Sequence, residues 1–472
     1  MKWPGALLIS LVLLVPCFWQ SRIQAGDLSS HLYNAWLGTE IEAGRGGELT
    51  VASPSTNVLF DHLLLGLMRL GGPVVAERVS VATVVLILFW GAVAWVRAAT
   101  GRDPRFVMPC LAMLAYGWVF HVGLFNFYLS CGLVFWALAL GWSLAWRRVM
   151  AAGLLLAVAY TAHALPVLWG GGLLAYAWVA QRLPVRWKPW LPLPVVAAVL
   201  AGRLYLLAHY RTATGGHQVF EMWGIDQFWV YGAKYALPVA LIGLLWGAQL
   251  IRVVKFLPGR PVAENVLLQF CLVMAIGMVA APTRIDLQGY RMPLTMITER
   301  MTLPLAVLIC VMLSQVRPAR WLAWAFAGVA ALQFSFLYAD ARSLNWWEDQ
   351  VVQALAPLPR GVRVVSALND PTTRGLLWNH ALDRPCIGRC YSYQNYEPGS
   401  HAFRVRSTGP NGMVMNDPRA AAGAQRGEYV AKPEDLPLYQ VVICPDGRLC
   451  ALAMSAGERM QATPLSIVPA WW

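Results

Sequence analysis

Charged residues are scarce in this chain. Only 13% of its 472 residues are Asp, Glu, Lys or Arg, against about 25% in an average soluble domain. Hydrophobic residues make up 58% of the sequence, and many apolar runs reach the roughly 17–25 residues that cross a bilayer. A soluble globular protein is therefore excluded, and the sequence predicts a polytopic α-helical membrane protein.

The motifs of nucleotide-driven and common hydrolytic enzymes are also absent. The chain has no P-loop, no GxGxxG after a predicted strand, no HExxH and no GxSxG. Those motifs supply phosphate, dinucleotide, zinc and serine-nucleophile sites. A cytoplasmic ATP-driven mechanism therefore has no support. There is no internal repeat either, although transporters often contain inverted repeats.

Acidic residues are fewer than basic ones, 24 against 37, and the net charge is +13. In a membrane protein this excess of positive charge indicates topology, because Lys and Arg are enriched in the loops that stay in the cytoplasm. Eleven apolar segments are predicted to span the membrane: 3–21, 77–96, 106–122, 126–146, 149–166, 167–181, 190–208, 235–251, 264–281, 301–316 and 321–339. The basic connections alternate along these segments, which predicts a bacterial inner-membrane protein with its N-terminus in the cytoplasm and its C-terminus outside.

All eight histidines fall on, or near, the outer side under this topology. Because histidine is not used to orient the chain, their distribution independently indicates that the chemistry is extracytoplasmic. The first apolar segment also resembles a signal peptide with a cleavage position after Ala25. Cleavage would not change the topology of the rest.

The composition divides the chain into a membrane domain, residues 1–340, and a small extracytoplasmic α/β domain, residues 341–472. In the second domain "GVRVVSAL" (361–368) and "YQVVICP" (439–445) are predicted strands. "TTRGLLWNHAL" (372–382) is a predicted helix that begins at its first Thr.

Four of the nine cysteines lie in this tail: Cys386, Cys390, Cys444 and Cys450. Outside the membrane they predict two disulfides, for which three pairings are open. A zinc site is the alternative, although the spacings CxxxC and CxxxxxC differ from the usual CxxC.

A polar face follows the first apolar segment, in "GDLSSHLYNAW" (26–36). Asp27, His31 and Asn34 are spaced four and three residues apart, which places them on one face of a helix. The sequence predicts that residues 27–44 form an amphipathic helix at the membrane surface. The simpler interpretation is that Asp27 only caps the helix.

A second predicted surface helix is "NVLFDHLLLGLMRL" (57–70), which carries Asp61 and His62. Together the two helices would bring two acids and two imidazoles towards one outer cavity. Alternatively, Asp61 and His62 form the solvated side of their helix.

This layout resembles the GT-C fold of membrane glycosyltransferases, near the dolichyl-phosphate-mannose and arabinose transferase types. The resemblance rests on the early outer loop (22–76) with its paired surface helices, the acid soon after the first span, about eleven spans and an outer C-terminal domain. It implies that the chain moves a sugar from a polyprenyl-phosphate donor to an outer lipid, glycan or protein acceptor, with Asp27 as general base. The chain lacks the adjacent acids, or Asp-x-Asp, of some branches, and no motif supports a divalent metal.

Such a transfer needs a base for the acceptor hydroxyl and cations or hydrogen-bond donors for the departing phosphate. The candidate catalytic residues are Asp27, His31, Asp61 and His62. The candidate substrate-binding residues are Asn34, His121, Asn126, His163, Arg284, Arg291 and Arg300.

The outer connection before the tenth span is the best candidate for a phosphate site. It carries Arg284, Arg291 and Arg300, against the positive-inside trend, and Arg suits bidentate phosphate binding. Asp286 and Glu299 could instead pair with these arginines structurally.

Two other functions remain open. A polymerase or ligase of lipid-linked glycans also uses outer Arg and His residues, but its large loop usually falls late in the chain. A non-catalytic transport or assembly subunit could keep the same layout. Nucleic acid is not an expected partner, since membrane topology accounts for the positive charge.

Overall fold

The computed structural model describes residues 3–256, 262–288, 292–370, 373–374 and 378–465. Among these residues four helices are long and apolar enough to cross a membrane: Leu59–Thr100, Val185–His209, Ala233–Phe256 and Arg320–Leu355. Shorter apolar helices cover Pro4–Cys17, Met108–Val122, Phe125–Gly141 and Val266–Ala280. The chain is accordingly a helical membrane protein.

A helix lies at each of the eleven predicted apolar segments. The α-helices of these segments are Trp3–Leu14, Leu59–Thr100, Met108–Ala115, Trp118–Val122, Phe125–Gly141, Trp146–Ala162, Ala164–Arg182, Pro192–His209, Ala236–Phe256, Val266–Ala280, Ile297–Leu313 and Arg320–Leu355. The other α-helices are Leu28–Glu42, Gln218–Glu221, Asp383–Cys386, Tyr396–Ser400 and Pro418–Gln425. Turns of 3₁₀ helix cover Val15–Cys17, Pro104–Phe106, Val185–Trp190, Ile225–Phe228, Ala233–Tyr235, Val262–Glu264 and Pro433–Asp435. The number of segments that span the membrane stays a prediction.

The helix Leu59–Thr100, called here the kinked helix, joins two elements that the sequence analysis separated. Gly72 interrupts it with a φ of 74° and a ψ of −172°, and Pro73 follows. Pro has no backbone N–H and cannot continue the hydrogen-bond ladder, and Gly tolerates a positive φ. The predicted surface helix (57–70) is therefore the first arm of a longer helix that bends at this pair.

The contacts group the chain into two compact units. The first unit comprises Met1–Thr83, His121–Phe125 and Leu337–Trp472, and the second comprises Val84–Phe120 and Asn126–Phe336. The first outer loop thus belongs to the same unit as the C-terminal region. The predicted boundary at residue 340 separates residues by composition and by side of the membrane rather than by contacts, so it stays a prediction.

The first unit contains a four-stranded sheet. Its strands, in spatial order, are Tyr391–Ser392, Arg363–Ser366, Leu438–Ile443 and Leu449–Met454. The first three run parallel and the last is antiparallel to its neighbour. Both predicted strands of the C-terminal region are confirmed, and their Val and Ile residues suit a buried sheet.

The described residues also form three smaller sheets of two strands each. Leu49–Val51 pairs antiparallel with Val405–Ser407 in the first unit, so the early loop and the C-terminal region share backbone hydrogen bonds. Thr463–Pro464 pairs parallel with Leu368–Asn369. In the second unit Arg211–Ala213 pairs antiparallel with Arg284–Asp286.

The predicted helix over 372–382 is wrong for the residues that the structure describes. Residues 373–374 and 378–382 form bends and turns, and a short helix begins only at Asp383. Thr372 and residues 375–377 lie outside the described residues. Burial of Trp378 and His380 explains the turn, because tertiary contacts override weak helix propensity.

The four tail cysteines form two local disulfides. Cys386 is bonded to Cys390, and Cys444 is bonded to Cys450. The second bridge closes the turn between the strands Leu438–Ile443 and Leu449–Met454. Because all four thiols are paired, the zinc alternative for these cysteines is wrong.

Candidate functional site

The helix Leu28–Glu42, called here the early helix, confirms the predicted helix. Two polar side chains of this helix, Ser30 and Asn34, are buried and pack within the first unit. Ser30 Oγ donates to Glu397 Oε1 at 2.9 Å, and Asn395 Nδ2 donates to Asn34 Oδ1 at 2.9 Å. The polar spacing is therefore explained by partners distant in sequence, which a single helix pattern does not show.

Close backbone packing fixes the start of the early helix. The N–H of Gly26 donates to His121 O at 2.8 Å, and the N–H of Asp27 donates to Val122 O at 2.9 Å. Gly123 has a φ of +91°, and an added Cβ there would lie 2.4 Å from Asp27 N. Only Gly permits this approach, so the position of Asp27 depends on it.

Asp27 faces a buried histidine. It occupies the N-cap position of the early helix, yet its side chain makes no capping hydrogen bond. Its Oδ1 lies 3.6 Å from Nε2 of His380, and its side chain is 26% exposed against 3% for His380. The capping interpretation of this carboxylate is therefore wrong, and the group is partly open to solvent.

A second carboxylate orients His380 from its other side. Nδ1 of His380 lies 2.8 Å from Oδ2 of Asp383, and Ser392 Oγ donates to the other oxygen of that carboxylate. The arrangement Asp27–His380–Asp383 is called here the Asp27 chain. In known catalytic sites, one carboxylate often fixes the orientation of an imidazole, and that imidazole contacts the reactive group. The Asp27 chain has the same arrangement of groups.

The surroundings favour a protonated His380. Burial opposes its charge, but the hydrogen bond and charge of Asp383, followed by the charges of Asp27 and Glu397, raise its pKa. The ring of Tyr396 lies 5.6 Å from the His380 ring, centroid to centroid. Burial and the nearby carboxylates raise the pKa of Tyr396, which keeps its phenol neutral.

His31 pairs with Asp61 rather than with Asp27. Its Nδ1 lies 2.7 Å from Asp61 Oδ1, and the ring meets Phe60 edge to face at 5.6 Å. Burial opposes protonation of His31, but the charge and hydrogen bond of Asp61, with the charges of Glu397 and Asp27, raise its pKa to about 9. His31 is therefore a cation at neutral pH.

A cleft opens beside this pair. Its lining residues include both members of the pair together with Asn34, Glu397, Phe403 and Arg404. The space between the lining atoms is about 420 Å³, including the open mouth. Burial, only partly offset by the charge of His31, raises the pKa of Glu397 to about 7. The cleft therefore combines a cation with a carboxyl group that titrates near neutrality.

Three further candidate or neighbouring side chains lie in the first unit: Arg404, His62 and His121. Arg404 is half-buried, and its Nε has no hydrogen-bond partner within the described part of the chain. His62 is exposed, although it adjoins Asp61 in sequence. His121 is buried, and its Nδ1 lies 3.1 Å from Gln24 O. Its position is thus accounted for by the backbone contacts that hold the start of the early helix.

The second unit brings three predicted elements together around Arg300. Its Nη1 lies 3.3 Å from Nε2 of His163, and its guanidinium lies 5.8 Å from the centre of the Phe127 ring. His163 also caps the helix Ala164–Arg182, accepting from the N–H of Leu165 at 3.2 Å. Asn126, next to Phe127 in sequence, is 2% exposed. Arg300 and His163 thus form a pair that the sequence did not predict as such.

The other two outer arginines differ. Arg284 is bound to Asp286 at 2.8 Å on the protein surface, which matches the structural alternative rather than a phosphate site. Arg291 lies outside the described residues. Arg300 itself donates to Met296 O at 2.9 Å and to Thr295 O at 3.0 Å, which holds its guanidinium in place.

Sequence reasoning missed a buried ion cluster in the first unit. Arg384 Nη1 lies 2.7 Å from Glu77 Oε1, and its Nη2 lies 2.7 Å from Glu348 Oε2. The N–H of Arg384 also donates to Ser29 Oγ at 2.9 Å. Through Ser29, Arg384 also attaches the C-terminal segment to the early helix. Removal of one member of the ion cluster would leave a buried charge uncompensated.

His380 and Asp383 are the other omissions. The sequence offered one local signal, the spacing of a His and an Asp three residues apart. His380 fell in the predicted helix 372–382 and Asp383 just after it, and neither was given a role. The Asp27 chain nonetheless has the parts for proton abstraction: a partly exposed carboxylate, an imidazole and an orienting acid. No family model, curated protein or solved structure matches this chain.

Proposed function

We propose that the protein is a membrane glycosyltransferase that transfers a sugar from a polyprenyl-phosphate donor to an acceptor outside the cytoplasm. Asp27 is the general base. The observation that supports this proposal is the placement of its carboxylate, which caps no N–H, is partly exposed and lies 3.6 Å from a histidine that Asp383 orients.

In the proposed reaction an acceptor hydroxyl attacks the anomeric carbon of the donor sugar. The new glycosidic bond forms while the bond between that carbon and the phosphate oxygen breaks. Asp27 takes the hydroxyl proton, and polyprenyl phosphate leaves with the bonding electron pair. By resemblance to the GT-C enzymes the transfer inverts the configuration of the anomeric carbon.

His380 is a positioning residue in this scheme. As an imidazolium held by Asp383, it places a positive charge 3.6 Å from the carboxylate of Asp27. It also fixes the direction of the carboxylate, and orientation of a reactive group lowers the barrier by restricting unproductive geometries.

The proposal includes a topology. The chain crosses the bacterial inner membrane about eleven times, with its N-terminus in the cytoplasm and residues 341–472 outside as an α/β domain. Four long apolar helices support the membrane location, and two disulfides support an oxidising environment for the C-terminal region. The partners are the lipid-linked donor, a lipid, glycan or protein acceptor, and membrane lipids.

The test compares Asp27→Asn with the unmodified chain in membranes supplied with a labelled polyprenyl-phosphate sugar. Loss of the base should lower turnover by about 10²–10⁴-fold. Glu40→Gln is the matched control, because Glu40 lies in the same helix and is paired with Arg45 on the surface. Normal turnover by Asp27→Asn would show that Asp27 is not the general base. Inactivity of the unmodified chain would favour an assembly or transport role.

A second variant, His380→Gln, tests whether His380 acts through Asp27. His380→Gln keeps a hydrogen-bonding side chain beside Asp27 but removes the cation. If His380 acts through Asp27, the double variant Asp27→Asn/His380→Gln should be no slower than Asp27→Asn alone. The effects of two substitutions on turnover are not additive when the residues act as a unit. Multiplied losses would instead assign His380 an independent effect.

A further inference from the structure

A cluster of metal-ligating side chains lies within the second unit. His217, Glu221 and Glu299 each offer one ligand atom, and these atoms lie within 4.8 Å of one another. His217 and Glu221 stand four residues apart at a short helix, Gln218–Glu221. Glu299 belongs to the first turn of the helix Ile297–Leu313. Two separate segments therefore converge on one point.

The separations fit a metal site better than hydrogen bonds. Nε2 of His217 lies 3.6 Å from Glu221 Oε1 and 3.5 Å from Glu299 Oε1. Hydrogen bonds from N–H to O are usually about 2.7–3.2 Å long. In a tetrahedral zinc site with bonds of about 2.0–2.1 Å, neighbouring ligand atoms are about 3.4 Å apart. The imidazole nitrogen thus sits at the ligand–ligand distance from both carboxylates.

Charge supports the same interpretation. The side chain of Glu221 is 1% exposed and that of Glu299 is 17% exposed. Two carboxylates that converge in a region of low exposure repel each other. A divalent cation bound between them would offset this repulsion.

Neighbouring residues hold two of the ligands in position. An added Cβ at Gly215 would lie 2.2 Å from Cε1 of His217, so Gly is needed for the ring to lie there. Thr298 Oγ1 donates to Glu299 Oε2 at 3.1 Å, which leaves Oε1 directed at the cluster. Such outer contacts orient metal ligands and tune their affinity.

We propose that His217, Glu221 and Glu299 bind a divalent transition-metal ion, with zinc as the ion that best suits one imidazole and two carboxylates. His217 is 51% exposed, so the site is open on one side. Three protein ligands leave a fourth position for water or a substrate oxygen. This site is independent of the Asp27 chain and of the function proposed for it.

The experiment measures zinc binding to the full chain in detergent after treatment with a chelator. Isothermal titration with Zn²⁺ alone should show one ion per chain. His217→Gln and Glu299→Gln should each weaken binding by at least about tenfold, because each removes a ligand. Co²⁺ provides an independent readout, since its visible absorption reports tetrahedral coordination.

His209→Gln is the matched control, because His209 ends the helix Pro192–His209 shortly before His217 in the chain and stacks on Tyr205 at 4.2 Å. Its zinc affinity should equal that of the unmodified chain, and thermal unfolding checks that all variants fold. Absence of stoichiometric zinc binding, or equal affinity in the control and both ligand variants, would overturn the site. Neither result would alter the sugar-transfer assay with Asp27→Asn, so the two proposals fail separately.

Discussion

At the scale of the residue, the charge of His31 links the candidate site to pH. The imidazole is bound to Asp61 at 2.7 Å, and its pKa is raised to about 9. In the unfolded chain the same group titrates near its ordinary value of about 6.5. The folded protein therefore binds this proton more tightly than the unfolded chain does.

The sign of the resulting pH dependence follows from linkage. The contribution of His31 is complete below about pH 6.5 and is lost as the pH rises towards about 9. We expect the unfolding midpoint of the chain in detergent to fall across this window. Glu397, whose pKa is raised from 4.5 to about 7, acts in the same direction between those two values.

His31→Gln should flatten the decline above pH 6.5, because glutamine carries no titrating proton. Thermal unfolding followed by intrinsic fluorescence at several pH values provides the measurement. His209→Gln is again the control and should preserve the decline. An unchanged slope in the His31 variant would mean that other groups carry the dependence.

At the scale of the element, the kinked helix depends on Gly72. Its φ of 74° and ψ of −172° fall in a region that essentially only Gly adopts, and holding a residue with a Cβ there costs about 1–3 kcal/mol. An added Cβ at Gly72 would meet no atom within 4 Å. The cost of a substitution there is therefore conformational rather than steric.

Gly72→Ala should lower the free energy of unfolding by about 1–3 kcal/mol. Gly66 provides a matched control, because it lies in the same helix, has open space around its Cα and lacks a positive φ. Gly66→Ala should leave stability unchanged or raise it by about 0.5–1 kcal/mol, since Ala is the better helix former. Unfolding midpoints measured side by side in one detergent distinguish the two outcomes, and equal effects would contradict the strained geometry at residue 72.

Local sequence patterns predict the helices and strands of this chain better than they predict the contacts between those elements. The early helix and the strands near residues 363 and 440 follow from apolar spacing, which is a local property. The contact between Asp27 and His380 joins positions over 350 residues apart, and no periodicity encodes such a pairing. The same limit explains why the sequence predicts Asn34 as a substrate-binding residue, although Asn395 donates a hydrogen bond to its side chain in the structure.

At the scale of the whole molecule, the proposed function requires that the early loop and the C-terminal region face the same outer compartment. The paired strands Leu49–Val51 and Val405–Ser407 belong to one unit. Backbone hydrogen bonds do not form across a bilayer, because they need direct contact. Residues near both strands must therefore share one side of the membrane.

Cysteine labelling in intact cells tests this placement directly. Glu48→Cys and Arg448→Cys introduce thiols at exposed positions, whereas the native tail cysteines are bonded in pairs. A membrane-impermeant maleimide should label both variants without lysis. Arg186→Cys, exposed in a predicted cytoplasmic connection, should react only after permeabilisation. If Glu48→Cys and Arg448→Cys react only in lysed cells while Arg186→Cys reacts in intact ones, the topology is inverted. Asp27 would then face the cytoplasm, where the proposed acceptor is absent.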